Sequence, residues 1–293
     1  LQDRAQATLI TALPGEEKVV AVQCGASHSM VLMVSGDVYS WGKNTQGQCG
    51  GDHTEENVLW PSQVKILGTC DDRHISLEEG APRHCVVKIA AGWGHSAALT
   101  EEGRGFMWGC GYKDSRRGVI PPVLGLGHNE CRAAPQLITS LEDVVIRDIT
   151  CGWDHCLALD AAGKLLSWGS GQNGKLGTGN EESVAIPTYV SALEGVCIVH
   201  ISAGCEHSAA IGEDGTLYTW GHGDGGRLGH GDNSQSMLPK RVVPLQMNGV
   251  TPFSVHCGDK FTVVLARDFD KKWETASEET PSTATTATTT TEE

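Results

Sequence analysis

The residues of this chain that most invite chemistry are four histidines at matching positions. His28, His95, His155 and His207 each close a Gly-x-x-His unit, opened by Gly25, Gly92, Gly152 and Gly204. Imidazole is a common metal ligand and titrates nearest neutrality, so a recurring set could bind a cation or relay protons. One histidine per repeat points the other way, to four separate residues that each bond nearby backbone. Glycine-rich runs raise a second possibility. Gly169-Ser170-Gly171-Gln172-Asn173-Gly174 and Gly221-His222-Gly223-Asp224-Gly225-Gly226 both fit Gly-x-Gly-x-x-Gly, and Gly169 to Lys175 nearly completes a phosphate loop. Leu176 stands where that loop needs a hydroxyl for magnesium. Both nucleotide motifs also need a helix directly after the glycines. Here Leu-Gly and a proline follow, so turn geometry accounts for the runs. The pairs Glu55-Glu56 and Glu181-Glu182 fall in loops and read as solvated charge. No catalytic residue, metal site or cofactor is expected.

Eleven cysteines are odd in number, spread along the chain and never spaced Cys-x-x-Cys. Cys24, Cys151 and Cys257 occupy the repeat position held elsewhere by Ala91 and Ala203, and a small thiol replaces alanine well in a core. The expectation is reduced, structural cysteines and a cytoplasmic or nuclear compartment. No apolar stretch of about 18 residues exists, so no membrane span is expected. Formal charge is −14; residues 267–293 hold seven acids and three bases, which leaves −10 on residues 1–266. An acidic body repels phosphate backbones, which argues against nucleic acid as a partner.

The elements that hold these residues are repeats. Sixteen residues after each repeat glycine comes a Trp-Gly pair, at Trp41, Trp108, Trp168 and Trp220. A second glycine follows nine residues after the tryptophan in three copies, at Gly50, Gly177 and Gly229. Pro61, Pro135, Pro187 and Pro239 come next. Successive repeat glycines are 67, 60, 52 and 54 residues apart, counting to a degraded fifth copy at Gly258 with Phe261 in the histidine place. Within a unit, His95 to Thr100 and Phe106 to Trp108 flank a Glu-Gly turn, and His207 to Ile211 and Thr216 to Trp220 flank Asp214-Gly215. Each is a hairpin. Further strands cover Pro187 to Val190, Pro239 to Val243, Val144 to Thr150 and Val196 to Ala203. About four short strands per fifty residues indicate an all-β propeller of four-stranded blades.

The Gly-x-x-His-Ser strand, the Trp-Gly end of its partner, the Gly-x-Leu-Gly turn and the later proline resemble the regulator-of-chromosome-condensation repeat family. Gly174-Lys175-Leu176-Gly177 and Gly226-Arg227-Leu228-Gly229 match that turn, and Gly47-Gln48-Cys49-Gly50 departs at Cys49. The resemblance covers roughly residues 5–266. It implies a β-propeller with four to five blades here against the family's usual seven, either closed as a smaller ring or an arc of a longer propeller. It also implies a protein-interaction scaffold, with guanine-nucleotide exchange on a small GTPase as the alternative. Residues 267–293 read as a disordered acidic, Thr-rich tail or linker.

Partner contacts are expected at two places. Trp93 and Trp153 follow repeat glycines, where the family's plant UV-B photoreceptor branch carries Gly-Trp-Arg-His units; the arginine places here are Gly94 and Asp154. Without those arginines, the two tryptophans read as anchors for a protein partner. Inserted loops are the other place. From Trp108 to Gly127 is 19 residues, an insertion of roughly Tyr112 to Val123 that brings Lys113, Arg116 and Arg117. From Pro61 to Gly92 is 31 residues against 17 in the next two copies, an insertion of roughly Thr69 to Cys85.

Overall fold

The structure is a computed structural model that describes residues 9–15, 17–51, 55–66, 85–111, 120–243 and 250–268. It is all-β. The first sheet contains β1 (Val19–Cys24), β2 (His28–Met33), β3 (Val38–Lys43) and β4 (Asn57–Val64), hydrogen-bonded in chain order. The same antiparallel order recurs in β5–β8 (Val86–Ala91, His95–Thr100, Gly105–Gly109, Arg132–Leu137). It recurs again in β9–β12 (Ile146–Cys151, His155–Asp160, Leu165–Gly169, Val184–Tyr189) and in β13–β16 (Ile198–Ala203, His207–Gly212, Leu217–Gly221, Ser236–Arg241). A fifth sheet has β17 (Val250–Cys257) and β18 (Thr262–Asp268). These are the blades of a propeller, here called I to V, and each packs on the next.

The hairpins lie where the alternation and turn residues put them. The sequence unit and the blade are nevertheless offset by one strand. Val144 to Thr150 and Val196 to Ala203 read as the last strand of their units; as β9 and β13 they pair with the histidine strand of the following unit. The short Gly-x-x turn permits this, because it reverses the chain directly between the two strands. Its first glycine donates to the carbonyl of the repeat histidine in all four copies, and Gly258 does the same to Phe261.

The histidine strands β6, β10 and β14 are buried at every position, because each lies in a blade covered on both faces. The core therefore lies between blades. Met30, Leu32 and Val38 of blade I pack with Ile89, Phe106 and Trp108 of blade II, and Leu157 and Leu165 of blade III pack with Ile201 and Trp220 of blade IV. Blade I differs on one face. Val19 and Val22 are 43% and 58% exposed, whereas Val86 and Ile89 at the same register in blade II are 3% and 1% exposed.

Two expectations need correction. The counterpart of Gly50 and Gly177 in the second unit is Gly125, not Gly127. A Cβ on Gly50, Gly125 or Gly177 would lie 2.9 Å from the indole nitrogen of Trp108, Trp168 or Trp220 respectively. The loop thus runs 17 residues from Trp108, and Pro122-Val123-Leu124-Gly125 is its divergent Gly-x-Leu-Gly. Second, the cysteines are not all reduced. Cys110 and Cys131 form a disulfide with a Cα–Cα distance of 4.5 Å. They flank the Gly109–Arg132 pair of β7 and β8, so sheet register brings together residues 21 apart in sequence. Eight other described cysteines are free. The glycine runs contain three-residue 3-10 turns, Gln172–Gly174 and Asp224–Gly226, in keeping with their reading as turns. Among the described residues no helix is long and apolar enough to cross a membrane. Lys113, Arg116, Arg117, Thr69 to His84 and the tail from residue 269 lie outside the described residues.

Candidate functional site

The repeat histidines do not bond backbone through Nε2, as the sequence suggests. Each reaches into the next blade. His28 Nε2 pairs with Ser96 Oγ at 2.8 Å, and Ser96 Oγ donates to the Gln48 carbonyl at 2.8 Å. Trp108 Nε1 donates to that same carbonyl at 3.0 Å. The pattern repeats between blades III and IV with His155, Ser208, the Lys175 carbonyl and Trp220, at 2.8, 2.8 and 2.9 Å. Between blades II and III, Cys156 takes the serine place, joining His95 Nε2 at 3.3 Å and the Val123 carbonyl at 3.5 Å. Between IV and V, Thr262 takes it, 2.9 Å from His207 Nε2. We call this arrangement the clasp. His28, His95, His155, His207, Trp108, Trp168 and Trp220 are all its members and are buried. Trp41, whose carbonyl partner would belong to a preceding blade, is half-buried.

Burial sets the protonation of the clasp. It depresses His28 to about 4, with His95 adding to the effect, and His207 to about 4, with Arg227 adding. His155 is also held well below its ordinary value, by burial first and then by Lys175. These imidazoles are neutral near pH 7, and one ring nitrogen can serve the clasp without a buried charge.

Two repeat glycines explain the rest of the motif. A Cβ on Gly152 would lie 2.4 Å from the Gly204 carbonyl oxygen and 2.5 Å from the His155 ring, so only hydrogen fits there. Gly169, of the Trp-Gly pair, has φ +104°, a backbone state that side-chain-bearing residues rarely adopt.

The Gly-x-x-His turns lie side by side. The N–H after one repeat glycine donates to the next blade's repeat glycine carbonyl: Ala26 to Gly92, Trp153 to Gly204 and Cys205 to Gly258, at 3.1–3.3 Å. On this row Trp93 and Trp153 stack, with centroids 5.6 Å apart and planes 23° from parallel. Both are half-buried. Beside them lies an ion cluster that sequence reading missed. Lys175, fully buried, donates to Asp154 Oδ1 at 2.6 Å and to Glu206 Oε2 at 2.8 Å, and Asn173 donates to Glu206 at 2.9 Å. Burial opposes the lysine charge, but Asp154 and then Glu206 outweigh it and hold the pKa above the ordinary value. Burial lifts Asp154 even with Lys175 beside it. The lysine stays protonated because it faces two carboxyl groups, and the cluster holds one more acid than base. Its signal in the sequence was the variable place of Gly-x-Leu-Gly, together with acids directly before His155 and His207. In blade IV the same place holds Arg227, which donates to the Asp224 and Asp259 carbonyls.

The structure therefore brings Trp93 and Trp153 together and assigns Gly25, Gly92, Gly152, Gly204 and the repeat histidines to the scaffold beneath them. Comparison with known proteins agrees with this architecture. The family model described as RCC1-like domain matches residues 2–264. The ultraviolet-B receptor UVR8 of Arabidopsis thaliana is 36% identical over 258 residues, covering 88% of this chain and 52% of its own length. The human E3 ubiquitin-protein ligase HERC2 is 34% identical over 82% of this chain, which is 4% of that protein. The chain thus spans about half or less of these relatives. Among solved structures, human WBSCR16 superposes with a TM-score of 0.70 at 26% identity, covering 87% of this chain and 59% of that one. Yeast RCC1, solved bound to Kap60, gives 0.67 at 24%, covering 87% and 55%.

Proposed function

Because this chain belongs to the RCC1-like domain family, we propose that it is a protein-recognition scaffold rather than a bond-making enzyme. The observation that carries this reading is the stacked pair Trp93–Trp153 on the row of Gly-x-x-His turns. Two large rings held parallel and half-buried lose little further entropy on binding, and tryptophan is among the residues that dominate interface energetics. The surplus carboxylate of the Lys175 cluster lies on the same row, which favours a partner segment carrying Lys or Arg. The inserted loop with Lys113, Arg116 and Arg117 is a second contact in this proposal. A cytoplasmic or nuclear location goes with it: eight free cysteines fit a reducing compartment, while the Cys110–Cys131 pair cuts against a wholly reduced set.

The test is to identify a partner of the full chain, measure its affinity by calorimetry, and repeat with Trp93→Ala and Trp153→Ala. The expected weakening is about 30-fold for each, the scale of an interface hot spot. Unchanged affinity in both variants removes the site. The same purified chain is assayed for nucleotide release from a panel of small GTPases. Acceleration there would replace the scaffold reading by exchange.

A further inference from the structure

The clasp between blades II and III departs from its neighbours in one respect. Blades II and IV pair Ala91 with Ser96 and Ala203 with Ser208 across the first two strands, whereas blade III pairs Cys151 with Cys156. Cys24 and Cys257 fill the first of these places in blades I and V, but they face Ser29 and Thr262. Only blade III carries a thiol on both strands, and His95 of blade II reaches to the same point. Cys156 Sγ lies 3.7 Å from Cys151 Sγ and 3.3 Å from His95 Nε2, and the three donor atoms lie within 4.8 Å of one another. All three residues are buried.

We propose that His95, Cys151 and Cys156 form a metal site for a divalent, thiophilic cation of the zinc class. The spacing fits this cation. Zn–S bonds of about 2.3 Å and Zn–N bonds of about 2.0–2.1 Å at tetrahedral angles require S···S and S···N edges of about 3.8 Å and about 3.6 Å. Two of the three edges are 3.7 and 3.3 Å and the third lies within 4.8 Å, close to those an ion of this size spans. Charge fits as well. On binding, the two thiols release their protons to solvent and the imidazole ligates through a neutral nitrogen, so two thiolates and one dication sum to zero. A neutral assembly suits a fully buried site, where a monovalent cation against two thiolates would leave net charge buried. The Val123 carbonyl, 3.5 Å from Cys156 Sγ, offers oxygen as a fourth donor. Two ligands come from blade III and one from blade II, so the ion would fasten the same junction that the clasp fastens elsewhere. This is a stabilising site, separate from the tryptophan row.

The fold itself supplies the control variants. Cys151→Ala and Cys156→Ser install the residues that blades II and IV already use, so the double variant retains a serine clasp and should fold. The full chain, purified under reductant and stripped with chelator, is titrated with Co²⁺ and then with Zn²⁺. One equivalent of Co²⁺ should bind per chain with a thiolate-to-cobalt charge-transfer band, and Zn²⁺ should abolish the band. The double variant should lose the band and bind at least about 100-fold more weakly. Zn²⁺ should raise the melting temperature of the parent chain and leave that of the variant unchanged. Absence of the band in the parent, or its full retention in the variant, overturns the proposal.

Discussion

Replacing Ser208 with alanine tests the clasp at one of its two complete serine copies. The substitution removes one hydroxyl from a fully buried junction. Two groups depended on it. The Lys175 carbonyl still receives the Trp220 indole N–H at 2.9 Å, so it stays satisfied. His155 Nε2 loses its 2.8 Å partner at a fully buried position. Leaving one buried polar group unpaired costs about 1–3 kcal/mol, well above the net value of the hydrogen bond itself. Removing both partners should recover much of that loss. Phe261 already stands in the histidine place of blade V, so His155→Phe has a precedent within this chain. The measurement is a double-mutant cycle of Ser208→Ala and His155→Phe by urea unfolding, with hydrogen exchange at β13 and β14 as a local readout. The expected coupling is about 1–2 kcal/mol, with the double variant closer to the parent than the sum of the singles. Additive losses, or a Ser208→Ala variant within about 0.5 kcal/mol of the parent, would refute the clasp as a stabilising unit.

Two further outcomes follow from the same geometry. His28 and His207 titrate near 6.5 when unfolded and near about 4 when folded, so the folded state binds fewer protons in between. Their stabilisation is complete above pH 6.5 and is lost as pH falls towards 4, at up to about 1.4 kcal/mol per pH unit for each; urea midpoints compared at pH 7 and pH 5 should show the fall, and a flat profile would contradict it. Lys175→Met strands Asp154 and Glu206 against each other, and the expected loss is about 3–5 kcal/mol, whereas Glu206→Gln, on the more exposed partner, should cost under about 1 kcal/mol; thermal unfolding of the two variants separates them.

The parts legible in the sequence were those written locally. A fixed interval from glycine to tryptophan and acid-glycine turns between apolar runs place the four strands of two hairpins nearly to the residue. What could not be read lies between units. His95 and Ser96 are neighbours in the chain, yet their hydroxyl and imidazole belong to different clasps, with partners on opposite sides of one blade. Nothing in a single repeat reveals that. The offset of unit and blade hid for the same reason, since strand order is set by which neighbour the chain turns back upon. Cys110 and Cys131 meet only through the register of β7 with β8, and it is the indole of Trp168, remote in sequence, that distinguishes Gly125 from Gly127. Lys175 was weighed as part of a phosphate loop. Its role depends on carboxylates from two other turns, 21 and 31 residues away.

The clasp also makes blade number a free variable. Each junction takes a histidine and a carbonyl from one blade and a hydroxyl or thiol from the next, and the first three add an indole. Excising one whole unit would bring the blades on either side together with complementary halves, so no donor would be orphaned. A cut inside a unit would strand half of a junction at each end. Gene duplication that respects the unit therefore lengthens or shortens such an array without inventing a new contact. The joint is standardised, and only the face it carries need diverge.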